Sequence, residues 1–198
     1  MLPTILALLL APLATALPPT IIRSPKVTGW GWWSEMESCP PGYFAHGMRI
    51  KYERDSGSLD ETGLNAIELA CKNRAVPSSG DTYIKGAEGV FGGWQAYQYC
   101  PQGEYVIGFA LQSESWRGGN KDDVAANNFA AYCGRPEAPR RRYSWIQGSV
   151  NERGSWTRDQ FCPARQIVCG IIVQIEPAQA PHVDDASLDS VGLKCCDF

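Results

Sequence analysis

The run Gly92-Gly93-Trp94-Gln95-Ala96-Tyr97-Gln98-Tyr99-Cys100-Pro101-Gln102-Gly103 has two counterparts in the chain, and that recurrence dictates the architecture. Trp33 stands six residues before Cys39-Pro40, Trp94 six before Cys100-Pro101 and Trp156 six before Cys162-Pro163, so the steps are 61 and 62 residues. Eight residues after each of these cysteines comes a glycine (Gly47, Gly108, Gly170), and fourteen after comes a glutamate (Glu53, Glu114, Glu176). An acidic, turn-like box follows: Asp60-Glu61-Thr62-Gly63-Leu64-Asn65, then Asp122-Asp123-Val124-Ala125-Ala126-Asn127, then Asp184-Asp185-Ala186-Ser187-Leu188-Asp189. Six residues beyond each box stands a further cysteine: Cys71, Cys133 and Cys195.

Between each Cys-Pro and its box the apolar residues alternate with period two, as in a strand with one face buried. Phe44, His46, Met48, Ile50 and Tyr52 share one phase, as do Tyr105, Ile107, Phe109 and Leu111, and Ile167, Cys169, Ile171, Val173 and Ile175. After each box the pattern resumes, with Ile67 and Leu69, Phe129 and Ala131, and Val191 and Leu193 in phase with the next cysteine. Glycine and proline bound every run, and nothing has the periodicity of a three-turn amphipathic helix. The chain is therefore expected to be all-β. Ile22, Tyr83 and Trp145 lie eleven residues before the repeat tryptophans, so each unit begins with a further strand. The third unit ends almost at Phe198, so a three-fold arrangement has to be closed by the N-terminal segment around Ile21 and Ile22. Closure also limits exposed strand edges.

Residues 1–16 have the apolar run and small-residue close (Ala14-Thr15-Ala16) of a secretory signal, with cleavage expected after Ala16. Removing those 16 leaves 182 of the 198 residues, which three units of about 61 fill as a single domain: 17–77, 78–139 and 140–198. A net charge of −3, with no Lys/Arg run longer than Arg140 to Arg142, argues against nucleic acid as the partner. No apolar run is long enough to span a bilayer. Secretion implies an oxidising compartment, in which eight cysteines form four disulfides in preference to a metal site. Cys39 with Cys71 and Cys100 with Cys133 are equivalent pairs, each expected to contribute about 3–4 kcal/mol in the chain-entropy account. In the third unit repeat equivalence favours Cys162 with Cys195 and Cys169 with Cys196. Strand phase, which puts Cys169 and Cys195 on the same side, leaves the crossed pairing open.

The tryptophan, the Cys-Pro opening, the strand and the Asp-rich box ending in cysteine, three times over with a closing Cys195-Cys196, resemble the vitelline membrane outer layer protein I family across residues 20–198. The resemblance implies a β-prism of three Greek-key four-stranded sheets around a common apolar axis, with pseudo-three-fold symmetry and the N-terminal strand completing the last sheet. It also implies a secreted structural component of an extracellular coat, associated with mucin-type glycoprotein or oligosaccharide and with lysozyme. The resemblance also implies a weak transferase activity on N-acetylglucosamine oligomers, so an enzyme and a soluble lectin are the alternatives. The boxes depart from the family type at Glu61, Gly63, Ala126 and Asp189, and Ala164-Arg165 replaces the glycine present at Gly42 and Gly103.

Asp and Asn in tight turns cap local N–H groups, so turn-making is the first reading of the boxes. The sharper reading makes Asp60, Asn65, Asp122, Asp123, Asn127, Asp184, Asp185 and Asp189 carbohydrate-binding candidates, brought to one end of the prism by the symmetry. Glycosyl transfer needs two carboxylates at a defined separation, and these would come from different boxes or from a box with Glu53, Glu114 or Glu176. Trp33, Trp94 and Trp156 are expected as core pillars beside the Cys-Pro turns, whereas Trp30, Trp32 and Trp116 offer exposed stacking surface. His46 is expected as a satisfied core histidine, and His182 as the titrating group beside an acidic loop. With two histidines and no Gly-x-Ser-x-Gly, neither a nucleophile triad nor a metal site has its parts, and no cofactor is expected.

Overall fold

The computed structural model describes residues 17–26, 28–54, 62–115, 125–138, 140, 142–150, 153–177 and 187–198. Its elements are all strands: β1 (Thr20–Arg23), β2 (Trp32–Trp33), β3 (Glu37–Ser38), β4 (Tyr43–Tyr52), β5 (Leu64–Asn73), β6 (Thr82–Lys85), β7 (Gly93–Trp94), β8 (Gln98–Tyr99), β9 (Tyr105–Ser113), β10 (Ala126–Gly134), β11 (Ser144–Gln147), β12 (Ser155–Trp156), β13 (Gln160–Phe161), β14 (Gln166–Ile175) and β15 (Leu188–Asp197). They form three antiparallel sheets. The first has the order β6-β5-β4-β7, with β8 also on β4. Thus β7 and β8 are two halves of one outer strand, and the sheet is four strands wide. The second sheet repeats this as β11-β10-β9-β12 with β13 on β9, and the third as β1-β15-β14-β2 with β3 on β14. In the first two, three hairpin-connected strands are followed by a fourth that returns beside the first, which is a Greek key; the third has the same strand order, with β1 in place of the third connected strand. The N-terminal strand β1 pairs with β15, so the expected closure of the ring is present. Leu17 N lies 3.4 Å from Asp197 Oδ2, and Gln166 Nε2 donates to Pro18 O at 2.7 Å, so the two ends of the described chain meet beside the third sheet.

The sheets are cut out of phase with the sequence repeats. Residues between one Cys-Pro and the next supply two long strands to one sheet, an edge strand to that sheet, and then its broken outer strand. The next Cys-Pro therefore falls where the chain passes from one sheet to another. Cys39 follows β3 of the third sheet and bonds Cys71 on β5 of the first. Cys100 follows β8 of the first and bonds Cys133 of the second, and Cys162 follows β13 of the second and bonds Cys195 of the third. These three bridges staple each sheet to its neighbour round the ring.

Inside lies one apolar core. Met48, Ile67 and Leu69, Phe109, Leu111 and Phe129, and Ile171, Val191 and Leu193 are all fully buried there. The rings of Phe109 and Phe129 stack at 5.6 Å. Each such side chain contributes roughly 1.5–3 kcal/mol by leaving water, which is why strict alternation is maintained on the inner face.

Each sheet has two register shifts: one at the box end, where Asn65, Asn127 and Asp189 are the extra residues, and one near the Cys-Pro end, where the expectation of a single phase fails. A β-bulge falls between Ala45 and Gly47, and its third-sheet equivalent between Val168 and Gly170. In the second sheet the same bulge falls between Val106 and Gly108, with Ile107 the extra residue. An inserted residue turns the strand over. Ala45, Val106 and Val168 therefore face the main core, whereas Phe44, Ile107, Ile167 and Cys169 fall in a second cluster with Tyr105. Phe198 closes that cluster, its ring centroid 4.8 Å from Phe44 and 5.0 Å from Tyr105. The bulge settles the cysteine alternatives: Cys195 is in the main core and bonds Cys162, while Cys169 bonds Cys196. It also explains the glycine eight residues after each Cys-Pro. A Cβ at Gly47, Gly108 or Gly170 would come within 2.8 Å of a carbonyl oxygen of the outer strand (Gln98, Gln160 or Glu37).

Candidate functional site

The box end of the prism is built from the connections β4–β5, β9–β10 and β14–β15. Each is closed by the same backbone bond at its base: Glu53 N to Gly63 O, Glu114 N to Ala125 O and Glu176 N to Ser187 O, at 2.9, 2.8 and 2.7 Å. Asp60, Asp122, Asp123, Asp184 and Asp185 lie outside the described residues, as do Trp116 and His182. The final members of the three boxes are described and occupy equivalent places. Asn65, Asn127 and Asp189 are 0%, 0% and 1% exposed.

Two of these side chains tie neighbouring sheets together, and the third is held within its own sheet. Tyr52 Oη of the first sheet donates to Asn127 Oδ1 of the second at 3.2 Å, and Ser187 Oγ of the third-sheet loop donates to Asn65 Oδ1 of the first at 3.0 Å. Asn65 Nδ2 donates to Thr62 Oγ1 at 2.6 Å and Asn127 Nδ2 to Arg153 O at 3.2 Å. Asp189 accepts from Thr28 Oγ1 and, at 2.8 Å, from Ser190 Oγ. Burial raises the Asp189 carboxyl above its ordinary range, opposed by the Ser190 hydroxyl, the Trp30 backbone and Lys26. In this arrangement Asn65 and Asn127 hold the ends of neighbouring sheets together.

A groove of about 660 Å³ opens beside the first loop, lined by Glu53, Arg54, Trp94, Gln95, Gln98 and Ser149 among others. Glu53 is the one carboxylate among its described lining residues, and its Oε2 accepts from Thr62 N at 3.1 Å and Thr62 Oγ1 at 2.6 Å. Gln95 reaches across to the second sheet's approach segment, donating to Ser149 O at 2.7 Å and accepting from Ser149 N at 2.9 Å. Its equivalents are short: Ser34 and Thr157 instead accept from the backbone of Val173 and Leu111. The groove thus breaks the symmetry through one longer amide, a signal visible in the sequence only after Trp33, Trp94 and Trp156 have been aligned. An aromatic ring, amides and one held carboxylate suit hydroxyl-bearing ligands. Among the described lining residues Glu53 has no second carboxylate to form the pair that glycosyl transfer requires.

The repeat tryptophans are not core pillars. Trp33 is 37% and Trp156 42% exposed, and Trp94 is half-buried. All three occupy the broken outer strand opposite Gln174, Lys51 and Gln112, on the outward phase of the sheet. They are equivalent to one another and lie on the outer surface of their sheets. Trp32 is exposed and Trp30 half-buried. His46 sits on the bulge on the outer side, its Nε2 3.0 Å from Asp81 Oδ1 and its ring 5.1 Å from Tyr99. Desolvation lowers its pKa despite the opposing pull of Asp81. In the edge strands, Ile21 and not Ile22 is the register equivalent of Tyr83 and Trp145.

The profile of the family described as vitelline membrane outer layer protein I matches residues 20–198. The chain belongs to this family. Within it, the vitelline membrane outer layer protein 1 homolog of Homo sapiens is 32% identical over 172 residues, covering 84% of this chain and 78% of that protein. The Mus musculus homolog is 29% identical over 171 residues with the same shares. Among solved structures, the Calystegia sepium agglutinin has a TM-score of 0.54 at 11% identity, covering 92% of this chain and 99% of that one. A mannose-binding jacalin-related lectin from Ananas comosus has a TM-score of 0.50 at 10% identity, covering 90% and 99%. At such identities the likeness is one of fold: this family member shares the three-sheet β-prism of those lectins. Among the described residues, no cluster of His, Cys, Asp or Glu is set to hold a metal ion, and no helix is long and apolar enough to cross a membrane.

Proposed function

We propose that this chain is a secreted, carbohydrate-associated structural protein of an extracellular coat. It would hold mucin-type glycoprotein or oligosaccharide, with a lysozyme-like protein as a further partner. The observation that carries the reading is the family match over the whole repeat region. The shared fold with lectins, one of them solved with a biantennary N-glycan, supports glycans as the ligand class. The ring of inter-sheet disulfides supports an oxidising compartment and a protein built to persist there. A net charge of −3 suits a basic partner such as lysozyme. Asp60, Asp122, Asp123, Asp184 and Asp185, which precede the buried Asn65, Asn127 and Asp189 in sequence, and the Glu53–Trp94 groove are proposed as the groups that meet sugar hydroxyls.

Equilibrium dialysis against a mucin-type glycoprotein tests this: saturable retention is expected, and its absence overturns the reading. Incubation with N-acetylglucosamine oligomers separates the enzymatic alternative. Longer oligomers that vanish in Asp122→Asn or Asp184→Asn would replace a binding role with a transferase.

A further inference from the structure

Comparison of the three outer faces, position by position, shows one that is left open. On the first sheet Arg49 and Glu68 are paired across β4 and β5, with Nε and Oε2 2.6 Å apart. The Arg49 guanidinium lies 4.5 Å from the Trp94 ring centroid, and Lys85 Nζ lies 5.8 Å from it. On the third sheet Arg23 covers Trp33 at 5.3 Å. These cations fill the space beneath their tryptophans. On the second sheet the register equivalents of Arg49 and Glu68 are Ala110 and Ala130, and that of Lys85 is Gln147. Among the described residues no cation covers Trp156. A cleft of about 280 Å³ is left, lined by Ala130, Tyr132, Tyr143, Trp145, Gln147 and Trp156. Trp145 and Trp156 rise from the two outer strands of the sheet, with the alanines of the inner strands between them, and Trp145 is 60% exposed.

We propose that this cleft is a binding site for a neutral pyranose at the end of an oligosaccharide, separate from the box end. A pyranose has an apolar C–H face and a rim of hydroxyls. An indole supplies the matching flat surface, and a few fixed polar groups supply orientation. Here the polar groups are the Gln147 amide and the Tyr143 hydroxyl, with Tyr132 Oη held by Asp159 Oδ1 at 2.6 Å. The lining side chains carry no formal charge, and both tyrosine hydroxyls donate to the Asp159 carboxylate, Tyr143 Oη at 3.5 Å, so a neutral sugar is favoured over a phosphorylated or sulfated ligand. The small volume and alanine floor suit one ring and exclude a helix. The inference rests on the carbohydrate reading above for the class of ligand, and on the missing ion pair for the place.

Saturation-transfer NMR and calorimetry with chitotriose and mannotriose test it, on wild type, Trp145→Ala, Ala130→Gln and Trp33→Ala. Ala130→Gln keeps both tryptophans and plugs the floor, so it separates the cleft from a general loss of aromatic surface. Thermal melting checks that each variant is folded. At least a tenfold weakening is expected in Trp145→Ala and in Ala130→Gln, with Trp33→Ala unchanged. Sugar binding that neither cleft variant alters overturns this site and leaves the coat reading standing. Absence of binding to both trisaccharides also overturns it, whereas loss of mucin-type glycoprotein retention as well removes the carbohydrate reading itself.

Discussion

The Tyr52 hydroxyl and the Asn127 side-chain carbonyl, 3.2 Å apart and both buried, join the end of a strand in the first sheet to the start of one in the second. Nothing adjacent in sequence links them: they are 75 residues apart, and their meeting depends on the ring being closed. A buried hydrogen bond of this kind contributes about 1 kcal/mol net, and removing the donor takes that inter-sheet bond away. Tyr52→Phe is therefore expected to lower stability by about 1–2 kcal/mol. Urea unfolding checks it, and a midpoint equal to wild type would contradict the tie.

Asp189 stands where the other two sheets have Asn65 and Asn127, and its carboxyl is raised by burial. A raised native value means that the folded protein binds this proton more tightly than the unfolded chain. Its contribution is therefore fully present below the ordinary value of 3.8 and is lost as pH rises through the raised native value. Asp189→Asn is expected to remove that acid-side slope and to be neutral or stabilising at pH 7. Stability measured from pH 3 to 7 on both proteins decides it; identical profiles would show that the site does not titrate with folding.

The inter-sheet bridges have sequence separations of 32, 33 and 33. A loop of that length is worth about 3–4 kcal/mol on the chain-entropy account. The double change Cys100→Ser with Cys133→Ser is expected to cost that much and to lower the thermal midpoint by many degrees. Mass spectrometry of unreduced peptides provides the companion observation: Cys100 should be recovered with Cys133, and Cys169 with Cys196.

Arg165 takes a left-handed φ of 68° at the turn where Gly42 and Gly103 have 81° and 78°. The side chain is exposed, so what it loses is conformational. An L-residue there costs about 1–2 kcal/mol, offset by the 0.5–1 kcal/mol of extra unfolded-state entropy of glycine, so Arg165→Gly should gain roughly 0.5–1 kcal/mol. A calorimetric midpoint below wild type would contradict this.

Much of the fold was legible because spacing survives where residue identity drifts. The fixed interval from Trp94 to Cys100 and on to Gly108 reports a half-strand, a crossing between sheets and a close backbone approach, all of which are set by geometry. The bulge was not legible, since an inserted residue leaves the apolar pattern looking continuous. His46 and Cys169 therefore read as inward although the chain has already turned over before them. The outward tryptophans misled for a related reason. A large apolar side chain at a repeated position suggests a core, yet Trp94 is held on the surface by Arg49 stacking against its face. At the candidate site, polarity in a turn could not distinguish a group facing water from one buried against a neighbouring sheet, and Asn65 and Asn127 proved to be the second kind. The Gln95–Ser149 bridge and the open face of Trp156 arise from differences between repeats, which become informative only once strand register fixes which positions correspond.

The meeting of Leu17 with Asp197 has a topological consequence. In the third sheet the interruption between β15 and β1 falls where the first sheet has the connection 74–81 and the second has 135–143. The polypeptide thus enters the ring at one of three interchangeable gates. A circularly permuted gene that joins Phe198 to Leu17 through a short linker, and starts instead near Thr82 or Ser144, would lay down the same strands in the same places with the same staples.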